Sequence, residues 1–148
     1  MKLEILRQFG VNETINCEQI GTSYFALKDA KLPSRNQVYN GKCLGHHKRS
    51  GTVPSIDFLQ HIGKQSKHKI TVNSKGEWLV ICGRDVFGKS IVKHTNPAIN
   101  DIAVILNEKN ECLGYGKVIA PLEEKKVVVE LLFDIGDLLR RERKSKPL

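Results

Sequence analysis

The sequence predicts an α+β protein: a small α/β unit in residues 1–65, then a mostly β unit in residues 66–148 with helices packed at its edges. Three observations carry this. Apolar residues make up 40% of the 148 and charged residues 27%, the balance of a folded chain rather than a disordered one. Short apolar runs of strand character recur from Lys69 to Phe133. Between the two units lies Gly63 to Lys67 (GKQSK), a polar stretch with a glycine just after the last apolar position.

From the N-terminus, Leu3, Ile5, Leu6 and Phe9 have the spacing of a short amphipathic helix closed by Gly10. Thr22 to Leu27 reads as a strand after a turn at Gly21. Pro33 to Asn36 marks a loop, and Val38 to Leu44 a second strand interrupted by Asn40-Gly41. The polar run HHKRSGT from His46 predicts a loop. Thr52 then stands where it caps a helix running from Pro54 through Ile62, since proline is tolerated in a first helical turn. In the second unit Lys69 to Val72 is a strand. Ser74 caps a short helix holding Trp78, Leu79 and Ile81, which Gly83 ends. Phe87 to Val92 reads as an exposed strand. Asp101 to Leu106 and Cys112 to Ala120 are two strands of a hairpin with a polar tip, and Lys126 to Phe133 is a long buried strand. Asp134 is expected to cap a last helix, with Leu138 and Leu139 facing the sheet. Trp78, Val104, Ile105, Val128 and Leu131 are the expected core of this unit.

The net charge of +8 is concentrated: residues 28–49 carry +5, residues 61–94 carry +5 and residues 140–148 carry +4, while residues 95–139 carry −4. Blocks of this kind predict basic patches that attract a polyanion. Aromatic content of only 6% favours recognition of a nucleic-acid backbone over stacking on several rings. No apolar run approaches the ~20 residues of a membrane helix, so no membrane partner is expected. The start MKLEILRQFG has no secretion-signal pattern, and the four cysteines contain no C-x-x-C pair. These features predict an intracellular protein with reduced thiols, cytoplasmic, or nuclear and nucleolar in a eukaryote.

Catalytic constellations are sparse. Gly114-Tyr115-Gly116 begins like a dinucleotide fingerprint, but Ile119 stands where the third glycine belongs and the segment has strand character. Its glycines are expected to let a strand bend or approach another backbone. Cys43, His46 and His47 offer thiolate and imidazole donors, yet no second ligand pair of fitting spacing follows, so no metal is expected. There is no Gly-x-Ser-x-Gly elbow, P-loop or His-Glu-x-x-His. No enzyme activity and no cofactor are predicted.

The succession KITVN (69–73), GEWLVICG (76–83), FGKSIVKH (87–94), IAVILN (102–107), CLGYGKVIA (112–120) and ELLFDIGDLLRRE (130–142) resembles a PUA domain, the RNA-binding β pseudobarrel named after pseudouridine synthases and archaeosine transglycosylases. The first half narrows the likeness. With Gly21-Thr22-Ser23-Tyr24-Phe25, Gly41-Lys42-Cys43-Leu44-Gly45 and Ser55-Ile56-Asp57-Phe58-Leu59, the chain resembles the Nip-seven family of ribosome-biogenesis factors and its archaeal relatives, in which a small α/β domain precedes a PUA domain. Between Leu27 and Gly41 it departs from that pattern, being too short for the family's extra helix.

The resemblance implies a non-catalytic RNA-binding protein acting on precursors of the large ribosomal subunit, with residues 66–148 holding RNA and residues 1–65 docking onto the pre-ribosomal particle or its assembly proteins. It implies an RNA surface of Gly83, Arg84, Gly88, Lys89, Lys93, His94, Arg140 and Arg141. The physical reading of those residues agrees: in a strand Lys89 and Lys93 share one face about 13–14 Å apart and meet separate phosphates. Glycines at 83 and 88 let a sugar-phosphate backbone come close, and Arg84 offers a bidentate phosphate contact. Two other classes compete, an accessory of RNA modification (pseudouridylation or transglycosylation) and a basic adaptor for an acidic protein.

Overall fold

The computed structural model describes residues 4–11, 15, 17–26, 42–49, 51–137 and 140 of the chain. Glu4–Phe9 forms a 3-10 helix that buries Leu6 and Phe9, and Gly10, at φ +68°, ends it as expected. Four short strands follow, β1 (Cys17–Ile20), β2 (Ser23–Ala26), β3 (Cys43–Lys48) and β4 (Gly51–Pro54). They pair antiparallel in the order β1-β2-β3-β4. The Pro33–Asn36 loop and the strand expected from Val38 lie outside the described residues as far as Gly41.

Two expectations fail in this region for one reason. The run after His46 is not a loop: His46 pairs with Val53 and His47 with Thr52 in a β3–β4 hairpin. Cross-strand pairing satisfies the backbone there, which a polar composition does not announce. Thr52 is therefore in a strand, and Ser55 caps the helix α1 (Ile56–Gln65), its Oγ accepting from the Phe58 amide at 3.2 Å.

The second half forms one six-stranded sheet. Its strands are β5 (Lys69–Val72), β6 (Val86–Phe87), β7 (Ile91–His94), β8 (Ile102–Leu106), β9 (Cys112–Val118) and β10 (Val127–Asp134). Their order is β6-β10-β9-β8-β5-β7, with β5 and β8 parallel and the other pairs antiparallel. The two ends of this order, β6 and β7, are separated only by the 3-10 turn Gly88–Ser90. Flat, a sheet of this size would hold its outer strands about 24 Å apart, whereas a three-residue link reaches roughly 14 Å at most. The sheet must curl, and it does so into a nearly closed pseudobarrel.

Chain segment 87–92 is thus not the single strand expected. Gly88 turns the corner, because a Cβ there would lie 1.7 Å from the Glu124 carbonyl oxygen. Glycines 114 and 116 behave as expected: Cβ atoms would lie 2.0 Å from the Phe133 oxygen and 2.5 Å from the Glu130 oxygen, so β9 and β10 approach closely only without side chains.

Helix α2 (Ser74–Ile81) packs on the barrel, capped by Asn73 rather than Ser74, with the Asn73 side chain accepting from the Gly76 amide at 2.9 Å. The barrel interior collects Ile70, Val72, Val80, Val86, Ala103, Ile105, Leu113, Val118, Val128 and Val129. β8 is buried on both faces: Ala103 and Ile105 point into the barrel, Val104 and Leu106 join Phe9, Phe58, Leu59, Ile62 and Tyr115 in a second core. That second core straddles the boundary between residues 65 and 66. α1 seals it, since Gln60 both donates to the Cys112 carbonyl (2.8 Å) and accepts from the Cys112 amide (2.7 Å), and Gly63 sits where a Cβ would be 2.8 Å from that of Cys112. β10 is less buried than expected: Val128 and Val129 are in the core, but Leu132 is 51% exposed. Trp78 is no core residue at all, being 67% exposed.

Candidate nucleic-acid interface

The C-terminal end of α2 is built by backbone geometry. The amide of Gly83 donates to the Val80 carbonyl (2.9 Å) and that of Arg84 to the Leu79 carbonyl (2.9 Å), with Gly83 at φ +81°. This is a Schellman cap, which calls for glycine because a Cβ is strained in that conformation. Arg84 leaves the cap exposed to solvent. Asp85 then pins the chain to the barrel, its Oδ1 accepting from the Leu131 amide at 2.8 Å where β10 bulges. After β6, Lys89 is exposed in the corner turn with its Nζ 5.6 Å from the centre of the Phe87 ring. The corner is tied to α2 through the Asn73 amide and the Ser90 carbonyl (2.9 Å), and by Gly76, where a Cβ would lie 2.9 Å from that of Ser90. Arg84 and Lys89 therefore belong to one scaffold with α2. Neither has an ion-pair partner among the described residues.

Other expected site residues are placed differently. Lys89 and Lys93 do not share a strand face, since only Lys93 lies in β7. Lys93 is exposed, and His94 is half-buried with Nδ1 accepting from the Asn96 amide at 3.1 Å. Arg140 folds inward: Nη1 donates to the Ile81 carbonyl at 2.7 Å and Nη2 to Asp134 Oδ2 at 2.9 Å. Its guanidinium lies against Gly83, where a Cβ would be 3.2 Å from Cζ. The Asp134 carboxylate raises the pKa of the guanidinium further. Asp134 itself ends β10, its carboxylate engaged by Arg140 rather than capping a helix as expected. Gly83, Gly88 and Arg140 thus have packing roles that account for their residue types. Arg141, Leu138 and Leu139 lie outside the described residues.

Trp78 is the group that the sequence reading missed at this surface. Gly76 and Val80 are the buried residues of α2, four apart, and Trp78 falls midway between them on the opposite side. An indole left in solvent is a platform for one base.

Elsewhere, a cleft of about 790 Å³ separates β3 and the start of α1 from the end of β10, lined by Lys42, His46 and Lys48 together with Asp57 and Asp134. Its charges are mixed, and Lys42 already pairs with Asp57 at 3.8 Å. His46 and His47 alternate along β3 and so face opposite ways, with His46 Nδ1 2.9 Å from Ser23 Oγ. No cluster of three or more His, Cys, Asp or Glu is placed to hold a metal among the described residues. No helix among them is long and apolar enough to cross a membrane.

A nearly closed six-stranded pseudobarrel, with a helix at its side and a cationic corner, defines the chain as a PUA-domain protein. It belongs to the UPF0113 PUA domain family, whose model matches residues 68–143. A UPF0113 protein from Archaeoglobus fulgidus is 33% identical over 86 residues, covering 54% of this chain and 49% of the relative. The chain therefore spans about half the length of the curated relative it matches. Among solved structures, a conserved PUA domain protein from Thermoplasma acidophilum superposes with a TM-score of 0.61 at 17% identity, over 94% of this chain and 89% of that one. A hypothetical protein from Pyrococcus horikoshii gives 0.57 at 13% identity, over 93% and 98%. These likenesses cover both halves, and they are likenesses of fold. PUA domains are RNA-binding domains, and no catalytic function is indicated for this family.

Proposed function

We propose that this chain is a non-catalytic RNA-binding factor of large-subunit ribosome assembly, in the manner of the Nip-seven family. Residues 66–148 grip RNA and residues 1–65 dock onto the pre-ribosomal particle. The observation that carries the RNA reading is the scaffold of α2 and the barrel corner, which holds Arg84 and Lys89 exposed and without an ion-pair partner among the described residues, with Trp78 solvent-exposed on the same helix. Arg84 and Lys89 neutralise phosphates, Trp78 stacks on one base, and Lys93 and His94 extend the track along β7.

Binding of short single-stranded RNA, followed by fluorescence anisotropy across a salt series, tests the reading. Affinity should fall steeply with salt, as phosphate neutralisation requires. Copurification of the tagged chain with precursor particles tests the assembly role separately. An acidic peptide binding more tightly than RNA at matched salt would favour an adaptor instead.

A further inference from the structure

A second cationic site lies between α1 and the β5–β7 pair. This pocket, about 310 Å³, is walled by Lys64 in the last turn of α1, Lys69 and Thr71 of β5, Lys93 and His94 of β7, and Asn110 of the β8–β9 turn. Strand register assembles it. Residues 69 and 71 share a face of β5, and Thr71 is paired directly with Lys93. Their side chains therefore stand within roughly 7 Å of one another. Lys69 Nζ donates to the Lys64 carbonyl at 3.0 Å, which holds the end of α1 over the sheet.

Among the described residues, no acidic group balances the charge of this pocket. None of Lys64, Lys69 and Lys93 has an ion-pair partner among the described residues. The Thr71 hydroxyl makes no hydrogen bond to the described residues. Ammonium groups and a hydroxyl around a concavity of this size suit a tetrahedral oxyanion.

We propose that this pocket is a phosphodiester subsite for RNA, so that α1 of the first half and β5–β7 of the second grip the same strand. The proposal rests on the RNA-binding reading above and extends it to residues outside the α2 surface. Lys93 connects the two, lying on the strand that leaves the corner turn and pairing with Thr71 in the pocket.

The test compares the full chain with the Lys64→Ala/Lys69→Ala and Arg84→Ala/Lys89→Ala double variants, measuring RNA affinity against salt. With one phosphodiester held there, the first pair should lower the slope of log affinity against log salt by about 0.7, the value for one phosphate on a single strand. Thr71→Val should weaken binding with the slope unchanged. Lys69 supports the end of α1, so melting is measured alongside, and Lys64→Glu repeats the test with that backbone bond intact. An unchanged slope in the Lys64/Lys69 pair, with a reduced slope in the Arg84/Lys89 pair, overturns this subsite and leaves the RNA-binding reading standing. No RNA binding by the wild-type chain overturns both. Inorganic phosphate should compete only weakly with RNA. Tight saturation by phosphate, with RNA affinity indifferent to the pocket variants, would assign the pocket to a small phosphate ligand and overturn the proposal.

Discussion

Arg140 is clamped to Asp134. One Nη donates to the largely buried carboxylate at 2.9 Å, the other to the carbonyl of Ile81 at 2.7 Å, so one guanidinium ties the end of β10 to the end of α2. Removing it leaves a buried carboxylate and a helix-end carbonyl without their donor. Arg140→Ala should cost about 1–3 kcal/mol of stability, the range for losing hydrogen bonds to a buried charged group. Arg140→Lys should recover little of it, since a single ammonium cannot reproduce the fork. Urea unfolding measures both. A stable Arg140→Ala variant that binds RNA poorly would make Arg140 an RNA ligand after all.

Gly88 gives a second check on the division between packing and binding. Its missing side chain faces the carbonyl oxygens of Glu124 and Leu122, at 1.7 and 2.8 Å from a built Cβ. Both are backbone atoms that cannot swing aside. Gly88→Ala should therefore lower the melting temperature, with a loss of about 1–3 kcal/mol expected for overpacking a tight site. Loss of RNA affinity at unchanged stability would contradict this.

Alkaline stability should report the second core. Burial pushes the Cys112 thiol from its ordinary value of 9.0 up to about 12, and burial raises Cys17 and Tyr115 as well. An acid whose folded pKa is raised is protonated in the folded chain while the unfolded chain already ionises. Its contribution is complete below pH 9.0 and is lost as pH climbs from there towards about 12. The melting temperature should fall across that window, and Cys112→Ala should flatten the fall relative to its own neutral-pH value. An equally steep fall in the variant would place the effect elsewhere.

Arg84 and Lys89 should act additively and without structural cost. Both are exposed and unpaired among the described residues, so alanine at either should change stability by no more than about 0.5 kcal/mol. Each should lower the salt slope by roughly 0.7 on single-stranded RNA. Slopes that stay at the wild-type value in folded variants would remove this surface from the interface.

Strands β5, β8 and β9, the polar hairpin and the end of α2 were legible because their apolar runs and glycines state local requirements. The corner at Gly88–Ser90 was not. FGKSIV has strand composition throughout, and only the ring order of the sheet reveals that it must turn there. The β3–β4 hairpin was missed because cross-strand partners, not side-chain polarity, satisfy its backbone. Charge blocks pointed to segments that carry exposed cations, such as Arg84 and Lys89, but not to the pairing of charges. Arg140 looks like a free cation in a basic tail until the buried carboxylate six residues earlier is seen beside it. Trp78 looks like core because tryptophan usually is, and the competing signal was the buried spacing of Gly76 and Val80.

Trp78 is also the chain's single tryptophan, so its emission reports the proposed interface with no label. Titrating a short single-stranded RNA while recording Trp78 fluorescence and anisotropy of a dye on the RNA tests the central claim most directly. If a base stacks on this 67% exposed indole, the fluorescence should be quenched in step with the anisotropy and reach its plateau at the same RNA concentration. Trp78→Ala should then cost about 1–3 kcal/mol of binding without unfolding the chain. Saturated RNA binding with Trp78 emission unmoved, and a Trp78→Ala variant of wild-type affinity, would contradict the account.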